Sequence, residues 1–128
     1  MASPDELLAR RIASRQHVAI PEAHDARVRR VLKIIESDVS LSMHELASAI
    51  SLSVAHMERL FKQETGMHMR DLLSELRMQK AAELLATSYL EVKEIAYAVG
   101  YRHHSSFDRA FQRRFAETPK THRQKTAA

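Results

Sequence analysis

Cysteine is absent from this 128-residue chain. Its absence removes disulfides, thiolate metal sites and cysteine nucleophiles together, and suits a reducing compartment. Tryptophan is also absent, and aromatic residues make up 5% against 45% hydrophobic residues overall, a balance that suits a helical globular protein. No apolar run approaches ~18 residues, and the opening MASPDELLARRI is too charged for a secretory signal, so neither export nor a membrane span is expected. Glycine occurs twice, at Gly66 and Gly100, and the three prolines sit where helices are expected to begin. No stretch keeps up strand-like alternation, so the predicted class is all-α. The length allows one compact domain or two small packed subdomains, each short of core if it stood alone.

The net charge of +4 is unevenly spread. Residues 1–24 carry three basic and three acidic groups, and residues 25–99 carry ten and eleven; residues 100–128 carry seven and two. A basic end on a nearly neutral body fits an anionic partner such as nucleic acid, or a solvated tail.

Helix signals recur along the chain. Ser3-Pro4 with Glu6 forms a capping box and predicts a short helix to about Gln16, followed by the connector RQHVAIPEAH. From about Glu22 to Ser37, Val28, Val31, Leu32 and Ile35 share one helical face. Ser42 and Glu45 form a capping box for a short helix ending near Ile50. Ser53 caps a third helix that stops at Gly66. A longer helix is predicted from about Met69 to Ala86, with Leu72, Leu73, Leu76, Ala81, Leu84 and Leu85 on its buried side. Two more run at about 92–99 and 104–115, and Thr118-Pro119 opens a last turn.

Within this order one pattern is written twice. ELASAIS at 45–51 matches EIAYAVG at 94–100, and the following VAHMERLFK matches HSSFDRAFQ. A short helix, a tight turn and a second amphipathic helix make a helix-turn-helix, here present in two copies at about 42–66 and 91–115. In the later copy Phe107, Ala110, Phe111 and Arg114 fall on one side, with Ser105, Asp108, Arg109 and Gln112 roughly opposite. Ala55, Glu58, Arg59 and Lys62 make the matching strip in the first. The major groove of B-DNA admits a helix and exposes distinct donors and acceptors on each base pair. Arg59 and Arg109 suit the paired acceptors of guanine, and His104 and Ser105 suit bases or phosphates. Lys62, Gln112 and Arg113 lie further along, where phosphates supply affinity without sequence information. The N-termini of the first helices, at Ser42 and near Val92, add candidate phosphate donors.

The run from LSMHELASAI through LFKQETG, AAELL, EIAYAVGY and SSFDRAFQRRF to TPKTHR resembles the DNA-binding domain of the AraC/XylS family of bacterial transcription regulators. The resemblance covers about 100 residues, from roughly Ala26 to the end. It implies seven helices: two helix-turn-helix subdomains joined by a long linker helix, here about 69–86, in a DNA-binding domain over 25–128. Both second helices would enter successive major-groove segments of double-stranded DNA. The family's reading positions fall on Ala55, His56, Glu58 and Arg59, and on His104, Ser105, Ser106, Asp108 and Arg109. A linker helix of about 18 residues, ~27 Å long, would hold the units about one DNA turn, ~34 Å, apart. Residues 1–24 are too few for the effector domain of larger members, so the chain looks like the short stand-alone type; for a fragment, the missing part is expected upstream. The N-terminal extension is left as an arm packing on the domain, a DNA-contacting segment or a frayed end. The resemblance further implies a cytoplasmic, nucleoid-associated regulator, monomeric on DNA and without a cofactor; activation, with contact to RNA polymerase as in family activators, and repression are both left open.

Several positions depart from the family pattern. Ser51 stands where the first turn often has glycine, which predicts a strained or altered turn. His103 stands where serine or aspartate usually caps the second recognition helix. Glu58 and Asp108 place acid in both strips, either to accept from cytosine N4 or to form the i,i+4 pairs Glu58–Lys62 and His104–Asp108. Two other classes compete. An enzyme or zinc site at His103, His104 and Asp108 lacks a third strong ligand on that face, and Ser105 and Ser106 lack a buried base–acid pair. A helical protein–protein adaptor without sequence-specific DNA binding would use the methionines as a surface, but most fall at core-facing or helix-end positions.

Overall fold

The computed structural model describes residues 19–126, so the expected helix from Ser3 to Gln16 lies outside the described residues. Among the described residues there are seven helices and no strand. They are α1 (Ala26–Ser37), α2 (Met43–Ala49), α3 (Val54–Thr65), α4 (Met69–Thr87), α5 (Val92–Ala98), α6 (His104–Phe115) and α7 (Pro119–Thr126). The predicted start of α1 at Glu22 is four residues early. Asp25 is its N-cap and accepts from the Arg27 backbone N–H at 2.8 Å, so the chain is still extended before it. The last turn is longer than expected: Thr118 Oγ1 accepts from the Thr121 N–H at 3.1 Å and opens an eight-residue helix.

Two cores result. The first gathers Val28, Val31, Leu32 and Ile35 of α1, Leu46, Ala47 and Ile50, Met57 and Phe61 of α3, and Met69, Leu72 and Leu73 of α4. The second gathers Met78, Ala81 and Leu85 of α4 with Ile95, Ala96, Val99, Phe107 and Phe111. The linker helix α4 therefore serves both, but not from one buried side. Met69, Leu72 and Leu73 point about 180° away from Met78, Ala81 and Leu85 at 3.6 residues per turn. The single stripe expected from the sequence is two half-stripes on opposite faces, with Leu76 and Leu84 only half-buried and Met78 taking a core place. Each unit thus packs on its own face of one rigid helix.

Burial repeats as the sequence does. Met57 and Phe61 are buried in α3, as Phe107 and Phe111 are in α6, and Met69 and Pro119 are buried one turn beyond. The repeat consequently extends past the second helices: the start of α4 and α7 are equivalent elements. α3 ends at Gly66 and α6 at Ala116, each in the left-handed region with φ of 76° and 58°. α7 then packs back on the linker, and Arg123 Nε donates to the Leu85 carbonyl at 3.0 Å near the end of α4.

Candidate nucleic-acid interface

The turns that aim α3 and α6 are built differently. In the first, Ser42 and Glu45 form the expected reciprocal capping box on α2, and Ser53 Oγ accepts from the His56 N–H at 3.1 Å. Between them Ser51 is held at φ 58°, the strained left-handed turn that the missing glycine predicts. The second turn is one residue longer, and Gly100 adopts φ 103° within it. α5 starts on a reciprocal pair that the sequence reading overlooked, the Glu94 carboxylate accepting from the Glu91 N–H at 3.1 Å. His103 occupies the N-cap position of α6, but its side chain makes no capping hydrogen bond. The imidazole is exposed, and the first-turn N–H groups of α6 are left without a side-chain cap.

Anchoring is strongest in α6. Phe111 packs against Phe107, Phe115 and His122 with centroids 5.8, 4.5 and 5.4 Å away, and Tyr101 meets Phe107 edge-on at 5.6 Å. In α3 the same two places are taken by Met57 and Phe61. Burying one side of each helix leaves the other to solvent. Ala55, His56, Arg59 and Lys62 are exposed on α3, and His104, Ser105, Arg109, Gln112 and Arg113 are exposed on α6. Glu58, Ser106 and Asp108 are half-buried at the flanks.

The acidic residues in the strips are paired, though not both as expected. His104 Nε2 lies 3.2 Å from Asp108 Oδ1, the anticipated i,i+4 contact. Glu58 turns away from Lys62 and accepts instead from Arg70 Nε of α4 at 2.7 Å. Arg70 of the neighbouring helix thus supplies Glu58 with a charge-assisted hydrogen bond through its Nε, while Lys62 Nζ sits 3.0 Å from His68 Nε2. Among the described residues, the side chain of neither Arg59 nor Arg109 makes a hydrogen bond or ion pair. Both carboxylates are therefore occupied while both arginines keep free guanidinium forks. Among the described residues no group of three acidic or histidine side chains is arranged to hold a metal, and no helix is long and apolar enough to cross a membrane.

Between the two units runs an open cleft of about 850 Å³, lined by α2, α4 and the second turn, with Arg70, Arg77 and Arg102 contributing charge. Sequence reasoning missed these three. For Arg77 the visible signal is the break in the apolar pattern of the linker, where it separates Leu76 from Met78.

The profile of a family described as "Helix-turn-helix domain" matches residues 46–125. The HTH-type transcriptional regulator GlxA of Rhizobium meliloti is 33% identical over 100 residues, covering 77% of this chain and 31% of that protein. The chain spans about a third of the length of the curated relatives it matches. Among solved structures, the C-terminal domain of AraT, a response regulator from Geobacillus stearothermophilus, superposes with a TM-score of 0.71 at 33% identity, covering 81% of this chain and 88% of that one. A transcriptional regulator of the AraC-type DNA-binding-domain class from Chromobacterium violaceum does so at 0.64 and 26%, covering 79% and 92%.

Proposed function

The chain belongs to the AraC-type helix-turn-helix family of DNA-binding transcription regulators, and we propose that it reads double-stranded DNA by inserting α3 and α6 into successive major-groove segments. One observation carries this reading. The two helices are anchored by equivalent buried pairs and turn equivalent free arginines, Arg59 and Arg109, to solvent. A guanidinium fork matches guanine O6 and N7 bidentately. Around it, Ala55 and His56 on α3, and His104, Ser105 and Ser106 on α6, contact base edges or adjacent phosphates. Lys62, Gln112 and Arg113 supply phosphate contacts. Glu58 and Asp108 act indirectly, by holding Arg70 and His104 beside the strips.

The DNA-binding domain is assigned to 25–128. It acts as a monomer on an asymmetric site of ~20 base pairs, two turns of duplex, at the nucleoid in the cytoplasm, and contacts RNA polymerase as an activator. It needs no cofactor.

Selection from a random duplex library tests the reading and returns the site. Affinity is expected to fall steeply with salt, since neutralised phosphates release counterions. Arg59→Ala and Arg109→Ala should each cost ~1–3 kcal/mol and relax base preference in one half of the site. Equal losses on all sequences would make the arginines phosphate contacts. No binding to any duplex at low salt would leave the helical adaptor as the better reading.

A further inference from the structure

The linker helix changes the face it buries midway along its length, and Arg77 stands at that change. Leu76 packs against the first core and Met78 belongs to the second. The Arg77 guanidinium leaves the helix sideways into the seam between the units. Its Nε donates to the Val39 carbonyl at 2.8 Å and an Nη to the Leu41 carbonyl at 2.9 Å. Those two carbonyls belong to the loop before α2, which Asp38 shapes by accepting from the Ser40 N–H at 2.9 Å. The loop itself straddles both cores: Val39 packs on the second and Leu41 on the first.

On its other side Arg77 meets the second turn. Its Cζ lies 5.8 Å from the Tyr101 ring centroid, and Tyr101 in turn packs edge-on against Phe107 of α6. A Cβ on Gly100 would stand 2.9 Å from Arg77 Cζ and 3.0 Å from Ser40 Cα. The second turn, the first unit's loop and this one guanidinium are therefore in mutual contact. Two carbonyls, an aromatic face and a glycine backbone enclose it, and a planar fork fits that set where a point charge does not.

We propose that Arg77 is the positioning residue that fixes α3 relative to α6, and thereby sets the spacing between the two DNA segments the protein accepts. It touches no base in this role. The spacing of the segments rests on the DNA-binding reading, whereas the rigidity of the protein does not.

The cysteine-free sequence allows both halves to be tested. Spin labels at Gln63→Cys on α3 and Gln112→Cys on α6 report the distance between the helices without DNA. The native arginine should give one narrow distribution. Arg77→Met, which keeps the apolar stem, and Arg77→Lys, which keeps the charge but loses the fork, should both broaden it about twofold or more at unchanged helix content. Should Arg77→Met fail to fold, Arg77→Lys carries the test. In parallel, the duplex selected by the native protein is compared with versions having one base pair added or removed between the segments. Native discrimination between these spacings should shrink about tenfold in the variants, equivalent to ~1.4 kcal/mol. An unchanged distribution overturns the proposal. So does a loss of affinity equal at every spacing, the mark of a phosphate contact or a general stability defect. If the native protein binds no duplex, the DNA-binding reading fails, and the distance measurement alone decides whether Arg77 locks the units.

Discussion

Replacing Gly100 by alanine makes the demand on this fold that can be worked out most fully. Two costs add. The residue lies at φ 103°, where an L side chain is strained, and left-handed backbone costs about 1–2 kcal/mol. The new methyl would also stand 3.0 Å from Ser40 Cα, a backbone atom that no rotamer change can move. Forcing that overlap costs a further ~1–3 kcal/mol by the usual scale of overpacking. The expected loss is therefore ~2–5 kcal/mol, or a melting temperature lower by about 10 °C or more. Gly66→Ala is the internal control, because Gly66 has a comparable φ of 76° but nothing within 4 Å of the position of an added Cβ. It should cost only the backbone share, about 1–2 kcal/mol. Ser51→Gly runs the experiment in reverse: it relieves φ 58° but adds unfolded-state entropy worth ~0.5–1 kcal/mol. The net result should lie between neutral and ~1.5 kcal/mol of stabilisation. Urea and thermal unfolding followed by far-ultraviolet circular dichroism gives all three. Should Gly100→Ala and Gly66→Ala agree within ~0.5 kcal/mol, the close approach of the two units at Gly100 is wrong.

The anchors and caps carry separate expectations. Phe61→Ala and Phe111→Ala should each destabilise by ~3–5 kcal/mol. The loss at Phe111 should be the larger by ~0.5–1.5 kcal/mol because it also loses ring partners; equal denaturation midpoints would refute the aromatic share. Ser53→Ala removes the acceptor for the His56 N–H and should cost about 1 kcal/mol, visible in the same unfolding curves. Acid should destabilise the protein. The Arg27 side chain, with its backbone N–H, holds the Asp25 carboxyl at about 2 against an ordinary 3.8. Hydrogen bonds from the Ser40 side chain and backbone lower Asp38, and Lys125 and then His122 lower Glu117. Carboxyls depressed in the folded state stabilise it fully above their ordinary values, and that stability is lost as pH falls through the folded ones. The melting temperature should thus decline from about pH 4.5 towards pH 2, less steeply in Asp25→Asn; a flat profile would exclude these pairs as stabilising.

Much of the molecule was legible from local chemistry. Capping boxes, a left-handed glycine and apolar spacing act within a turn or two of helix, so Ser42, Ser53 and Gly66 marked their helix ends directly. The duplicated pattern exposed the two units because each must bury the same kind of face. Partners were less legible than positions. Glu58 finds Arg70, twelve residues away, where the i,i+4 rule pointed to Lys62, since a helix surface is also open to neighbours from other helices. His103 sits in a cap position without capping, because a position in a pattern does not make the bond.

By itself, the sequence determined an all-helical chain, two helix-turn-helix units in order, and the side chains each second helix presents to solvent. These follow from periodicity and from hydrogen bonds between near neighbours. Only the tertiary structure decided how the units sit relative to each other. The linker helix buries opposite faces in its two halves, and one arginine, reaching carbonyls 38 and 36 residues away, closes the seam between them. Contacts across such separations depend on the path of the whole chain, which no local spacing records.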